Sequence, residues 1–117
     1  MKNYCFDVND KFKSLILECL DELQKLNFPL PNSVYFREGK GKTGYGLCAK
    51  GDYYNKYKNW DFVISVNKYL FEKNDIKETV IHELLHTLDM THGGKWKEWA
   101  TFKIGRASCR ERVCLSV

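Results

Sequence analysis

Three histidines and one glutamate lie close together in this chain of 117 residues, and their spacing is typical of a metal site. His82, Glu83 and His86 form the pattern HExxH, and His92 follows six residues later. Residues four apart on a helix lie one turn above each other, so both imidazoles of the pattern can bind one ion at about 2.0 to 2.1 Å. The pattern therefore predicts a helix that supplies two metal ligands.

Glu83 follows the first histidine, and its side chain points about 100° around the helix from it. That direction suits a carboxylate that reaches a metal-bound water and does not bind the metal itself. Zinc lowers the pKa of its water to around 7, so a neighbouring carboxylate can take the proton at ordinary pH. We predict zinc as the metal and Glu83 as the general base.

His92 is the predicted third ligand, because Gly93 and Gly94 allow a turn that folds it back over the helix end. Three protein ligands leave the fourth position of zinc for water, as in catalytic sites. Two carboxylates compete for the same role: Asp89, one turn after the HExxH pattern, and Glu98, on the segment that follows. We rank His92 above both.

The helix that carries these residues is predicted to begin at Asn74 or Asp75, with Asp75 and Glu78 as a capping box. Its buried stripe consists of apolar residues at helical spacing: Ile76, Val80, Ile81, Leu84, Leu85 and Leu88. An HExxH string also arises by chance with two solvated histidines. Here the apolar flanks would bury the imidazoles, which is costly without a partner, so a metal site is favoured.

The remaining elements predict an α+β fold with a small, mostly antiparallel sheet. The spacing predicts an N-terminal amphipathic helix over 10–27, ended by Pro29 and Pro31, and a C-terminal helix over 95–103 that packs its aromatic residues inward. Short strands are predicted over 34–37, 45–50 and 61–66, with a Gly-rich turn after the first and a hairpin loop between the last two.

From Glu78 onward the segment ETVIHELLHTLDMTHGGKWKEWA resembles the SprT-like family of zinc metallopeptidases, whose motif is HExxH followed by HGxx and an aromatic residue. The matching residues are His82, Glu83 and His86, then 92–96. DFVISVNKYLF also looks like the strand and turn that precede the metal helix in this family. The resemblance covers most of 10–103, although only the metal segment is specific.

This resemblance implies a zincin-like α+β domain that hydrolyses peptide bonds, with His82, His86 and His92 as zinc ligands and Glu83 as the catalytic glutamate. The best understood eukaryotic relatives digest proteins that are crosslinked to DNA. One departure is the short gap before His92, which equals the HExxHxxGxxH spacing of metzincins. Asp89 then stands at the glycine position, where a left-handed conformation is favoured, and this weakens the metzincin reading.

The resemblance does not supply a group that stabilises the tetrahedral intermediate. The tyrosines at 45, 53, 54 and 57 are available, and each is more often a packing residue of a hairpin. Two other functions stay open, namely a non-catalytic DNA-binding module stabilised by zinc and a protease stimulated by DNA. The lysines at 40, 42, 50, 56 and 58 permit DNA binding but are more often a solvated face.

Composition limits the other possibilities. A hydrophobic content of 44% with 15% aromatic residues suffices for one core, and 117 residues leave no room for a second domain. The sequence has no long apolar run and its first residues carry acids, so we expect a cytoplasmic protein without a membrane partner. We further expect it to be a monomer that acts on a protein or peptide. The five cysteines form no CxxC pair, which favours reduced thiols.

The segment 104–117 looks foreign to the rest of the chain. Its first residues, IGRASCRERVC, resemble the translation of a common sequencing adapter codon for codon. We therefore interpret 1–103 as the metallopeptidase domain and 104–117 as a non-native tail, with a genuine short basic segment as the alternative. The three arginines and one glutamate of this tail account for half of the net charge of +4, which weakens any inference of DNA binding from charge.

Overall fold

The computed structural model describes residues 2–40 and 44–104, the last three as backbone only, and contains four strands and three α-helices in this part of the chain. The middle of the predicted Gly-rich turn (41–43 of 38–44) and nearly all of the predicted foreign tail (105–117 of 104–117) lie outside the described residues. The elements in chain order are β1 (Asn3–Asp7), α1 (Asp10–Lys25), β2 (Ser33–Gly39), β3 (Gly46–Lys50), β4 (Phe62–Asn67), α2 (Lys73–Leu85) and α3 (Gly94–Lys97), which continues as a π-helical segment (Glu98–Ile104).

The sheet has the strand order β1-β2-β4-β3 and is mixed. β1 pairs with β2 and β2 with β4 in parallel, whereas β3 and β4 form the only antiparallel pair among the described residues. The prediction of a mostly antiparallel sheet is therefore wrong. The reason is β1, a strand that was not predicted from the sequence. β1, α1 and β2 form a crossover unit, and two strands joined by such a unit are parallel.

α1 confirms the predicted N-terminal helix, but the prolines do not end it. The carboxamide of Asn9 caps the helix by accepting a hydrogen bond from the Phe12 N–H at 2.8 Å. At the other end Asn27 has a positive φ of 61°. Its N–H donates to the Gln24 carbonyl and the next N–H donates to the Leu23 carbonyl, at 3.0 and 2.9 Å. This is a Schellman motif, which stops the helix before the first proline is reached.

α2 is the central element of the core, and it is buried along nearly its whole length. The apolar stripe predicted for it is buried from Ile76 to Leu85 and packs against α1, β3, β4 and the C-terminal segment. The helix begins at Lys73 with Glu72 at the N-cap, which makes no side-chain cap. The predicted capping box of Asp75 and Glu78 is therefore wrong, because both residues already lie inside the helix.

The sheet is covered on both faces. Side chains of Val34, Phe36 and Ile64 join the helices in one cluster of buried apolar residues. On the opposite face, Tyr35 packs against two aromatic residues of the β3–β4 loop, Tyr57 and Trp60, at 4.5 and 5.6 Å between ring centroids. The loop confirms the predicted hairpin. Tyr57 and Trp60 therefore help to close the far face of the sheet.

The C-terminal helix lies where it was predicted and brings Trp96 and Trp99 inward, whereas the side chain of Phe102 lies outside the described residues. Cys5, Cys19 and Cys48 are not joined in disulfides among the described residues, and Cys19 is fully buried as expected for a small core residue. Within residues 2–40 and 44–104, no helix has the length and apolar character that a bilayer span requires.

Candidate metal centre

His82 and His86 lie at the C-terminal end of α2, inside the core. His82 belongs to the last turn, and His86 follows it with near-helical φ and ψ of −67° and −14°. Their side chains are 0% and 8% exposed, and their Nε2 atoms lie 3.2 Å apart. Nitrogen ligands at 2.0 to 2.1 Å from a tetrahedral zinc are about 3.3 to 3.4 Å from one another. The two donors are thus spaced as ligands of one ion would be.

His92 completes the group. Its Nε2 atom lies 3.2 Å from that of His82, and the donor atoms of all three histidines are within 4.8 Å of one another. No other set of three metal-ligating side chains is found in the part of the chain that the structure describes. His82, His86 and His92 are therefore close enough together to bind a metal ion.

A short network of hydrogen bonds in the loop after α2 places His92. The Asp89 carboxylate accepts from the N–H and the hydroxyl of Thr91 at 3.0 and 2.6 Å, and the same hydroxyl accepts from the Gly93 N–H at 3.0 Å. A Cβ on Gly93 would lie 2.9 Å from that hydroxyl oxygen, whereas Gly94 has nothing within 4 Å. The turn therefore requires a glycine only at position 93. Because the φ of Gly93 is −87°, which other residues also adopt, the reason for the glycine is the lack of space for a side chain.

The environment of the histidines favours their neutral, metal-binding form. Nδ1 of His86 lies 3.0 Å from the backbone carbonyl of Asp89, which can only accept, so Nδ1 carries the proton and Nε2 keeps its lone pair. Burial lowers the pKa of His86, and burial together with the neighbouring His86 lowers the pKa of His92. A neutral imidazole is the species that coordinates a metal.

Trp96 forms the floor of the site. It is 1% exposed, and its ring centroid lies 4.9 Å from that of His82, 5.7 Å from His86 and 4.8 Å from His92. Its indole N–H also donates to the His82 backbone carbonyl at 3.4 Å. The sequence predicts that Trp96 packs inward and matches it to the aromatic residue after HGxx, but it does not place Trp96 against the histidines. Its position four residues after the third histidine was the available signal for a residue that holds all three rings.

Glu83 is buried beside the histidines. Its side chain is 3% exposed, and burial raises the pKa of this carboxyl to about 8. It lines a cleft of about 380 Å³ together with His86 and His92. A carboxyl with such a pKa can both take and return a proton near neutral pH. A cation held by the histidines would lower this pKa, because it favours the ionised form.

β3 forms the opposite wall of the cleft and approaches α2 very closely. A Cβ on Gly46 would lie 2.7 Å from the Thr79 methyl carbon, 2.9 Å from the Ser65 backbone oxygen and 3.2 Å from Cγ of Glu83. Gly46 therefore allows the strand to pass directly over the helix. The sequence predicts a strand at Gly46 but does not predict its contact with α2, because β3 and α2 are far apart along the chain.

The outer edge of β3 is open among the described residues. β3 is the last strand of the sheet. Its backbone hydrogen bonds to β4 continue at Tyr45 and Gly51, the residues just before and just after β3. In antiparallel sheets every second residue exchanges its backbone hydrogen bonds with the neighbouring strand, so the backbone groups of Leu47 and Ala49 also point to β4. The backbone N–H and C=O groups of Gly46, Cys48 and Lys50 point outward, away from β4. This edge borders the cleft, because Gly46 and Cys48 line it.

The other predicted candidates lie elsewhere or act differently. Asp89 is not in the metal-ligating group, and it orients His86 through its backbone carbonyl. Glu98 is exposed on the C-terminal segment. Tyr57 is buried against Tyr35, and the described residues that line the cleft include no tyrosine, lysine or arginine that would stabilise an oxyanion.

The comparisons with known proteins give no relative from which a function could be transferred. No family model, no curated protein and no solved structure matches this chain. What the chain is can therefore be argued only from its residues and their geometry, and these show an α+β fold with three histidines placed to hold one metal ion.

Proposed function

We propose that this chain is a zinc-dependent metallopeptidase similar to the SprT-like enzymes. The observation that carries the proposal is the convergence of the three histidines, with Nε2 of His82 lying 3.2 Å from Nε2 of His86 and of His92, beside a cleft that Glu83 lines together with His86 and His92. A site that only stabilised the fold would have no need of a buried carboxyl group beside the ligands. The proposed arrangement is zincin-like, with an edge strand that runs beside the HExxH helix.

Zinc is the proposed metal because His82, His86 and His92 offer three neutral imidazole nitrogens, the ligand set of catalytic zinc sites such as that of carbonic anhydrase. When bound, zinc supplies Lewis acidity that polarises the scissile carbonyl and lowers the pKa of a water to around 7. Nδ1 of His86 remains bonded to the Asp89 carbonyl and fixes the orientation of its ring.

Glu83 carries the proton steps. Its carboxylate accepts a proton from the attacking water while the new C–O bond forms, and then delivers that proton to the leaving nitrogen as the C–N bond breaks. The proton is therefore conserved over the cycle, and the products are a carboxylic acid and an amine. The outward backbone groups of Gly46 and Cys48 are positioned to hold an extended peptide beside Glu83 by adding a strand to the sheet.

DNA is a weaker candidate as a partner. Lys50 at the end of β3 and Lys58 of the hairpin loop border a shallow cavity, but Asp52 and Asp61 line the same cavity, so the positive charge is locally balanced. This favours a solvated face. DNA as a stimulator of proteolysis stays a prediction, and it is tested by measuring cleavage with and without single-stranded DNA at two salt concentrations, because phosphate contacts weaken with salt.

The direct test combines metal analysis with proteolysis. The purified chain is assayed for zinc content and for cleavage of casein, beside Glu83→Gln and the matched control Glu98→Gln. We expect about one zinc per chain, loss of at least about a hundredfold in kcat for Glu83→Gln, and unchanged cleavage for the exposed Glu98→Gln. Proteolysis that survives in Glu83→Gln would show that the assigned base is wrong.

A further inference from the structure

An apolar cavity lies directly beside the candidate metal cleft. It measures about 500 Å³ and is lined by Leu47, Cys48, Ala49, Lys50, Asp52, Tyr53, Tyr54 and Met90. Leu47, Cys48 and Met90 line the metal cleft as well, so the two spaces adjoin each other along these three residues. A ligand bound in the metal cleft can thus extend into the apolar cavity without leaving the protein surface.

The walls of this cavity are unusual for the surface of this protein. Leu47, Tyr53 and Met90 are 52%, 78% and 45% exposed, and they are three of the seven large hydrophobic side chains that lie exposed among the described residues. They come from β3, the β3–β4 loop and the loop after α2. Exposed apolar side chains that converge from separate segments typically mark a binding surface.

The open edge of β3 leads from one space to the other. Cys48 directs its backbone groups outward at the metal cleft, and Lys50 does the same at the apolar cavity. Two residues of an extended strand span about 7 Å. A peptide that pairs with this edge and has its scissile bond at the metal cleft would therefore place a side chain one or two residues away over Leu47, Tyr53 and Met90.

We propose that this cavity is a specificity subsite that takes a large apolar side chain of the peptide substrate, leucine or phenylalanine, one or two residues from the scissile bond. The inference rests on the proposed function, because it assumes a peptide in the metal cleft. Lys50 and Asp52 border the cavity with opposite charges, so neither sign of charge on the substrate is favoured there.

The test uses hexapeptides that differ at one position near the scissile bond, carrying Phe, Leu, Ala or Lys. Cleavage is measured with the zinc-loaded chain, and binding of fluorescein-labelled versions is measured by anisotropy with zinc-loaded Glu83→Gln. We expect Phe and Leu to be favoured over Ala and Lys by about tenfold or more, both in kcat/KM and in Kd.

Two substitutions and two matched controls connect this preference to the cavity. Leu47→Lys and Tyr53→Ser are expected to reduce the preference to about threefold or less. Leu17→Lys and Tyr69→Ser change residues of similar exposure, 46% and 59%, that line neither space, and are expected to leave it intact. All four side chains are largely exposed, so the variants should fold.

The outcomes separate the subsite from the enzymatic function. Cleavage without a preference, or a preference that Leu47→Lys leaves unchanged, overturns the subsite and leaves the peptidase standing. Selective binding of Phe and Leu peptides without any cleavage supports the subsite and contradicts the peptidase. Absence of both cleavage and selective binding overturns both.

Discussion

Removing the charge of Glu83 should stabilise the metal-free protein, and the size of the effect depends on pH. The pKa of this carboxyl is raised by burial from an ordinary value of 4.5 to about 8. The folded protein therefore holds its proton more tightly than the unfolded chain does. A raised carboxyl pKa means that stability is lost as pH rises from 4.5 through 8. Glu83→Gln keeps the neutral shape without this loss.

The expected gain follows from the two pKa values. Linkage gives a stabilisation by Glu83→Gln of under about 1 kcal/mol at about pH 5, about 3 kcal/mol at about pH 7 and about 5 kcal/mol well above pH 8. Relaxation of the protein and entry of water around a buried charge reduce the cost of ionisation, so these values are ceilings. The trend with pH is the decisive quantity.

The assay is urea unfolding of both proteins in the presence of a metal chelator, repeated at several values between about pH 5 and about pH 9. The exposed Glu98→Gln serves as the control and should show no such trend. A stability difference that is the same at both ends of this range, or a less stable Glu83→Gln, would refute the argument from burial. With zinc restored, the stabilised variant should be the inactive one.

Three further outcomes follow from the geometry. Burial lowers the pKa of His86 and His92 below 6.5, so bound zinc should be retained at pH 6.5 and released at more acid pH. Zinc affinity should fall by about tenfold per pH unit for each histidine that takes up a proton. Dialysis at each pH followed by metal analysis measures this release. Gly93→Ala should weaken zinc affinity by about tenfold or more, because the added methyl group collides with the loop. Gly94→Ala is the control: its methyl group has space, so this variant should bind zinc normally. A competition titration measures both affinities. Asn27→Gly should raise the free energy of unfolding by up to about 1 kcal/mol, since glycine adopts a positive φ at no steric cost; a urea midpoint that does not move would contradict the role of this residue as the helix stop.

The convergence of the three histidines could be predicted from the sequence because its parts are local. His82 and His86 need only helical periodicity to converge, and His92 returns through a loop of a few residues whose hydrogen bonds are made within the loop itself. The predicted N-terminal helix and the three predicted strands follow from hydrophobic periodicity for the same reason. Only the exact bounds differ; the end of α1, for example, is determined by the positive φ of Asn27.

What the sequence did not reveal depends on contacts between distant segments. β1 has few residues and becomes a strand by pairing in parallel with β2 across α1, so nothing within the strand itself predicts the parallel sheet. The passage of Gly46 over Glu83 and the convergence of Tyr53 with Met90 likewise join segments more than thirty residues apart. These non-local contacts determine the shape of the cleft, whereas local ones determine its chemistry.

The short stretch that supplies all three imidazoles has a consequence for folding. An ion bound by His82, His86 and His92 would close a chain loop of about ten residues, and closing so small a ring removes little entropy from the unfolded chain. Trp96, four residues further on, packs against the same rings and secures the stretch to the core. Because the three imidazoles converge only in the folded protein, the stabilisation by a bound ion would come mainly from its binding to the folded state, and it would add to the free energy of unfolding of the whole domain.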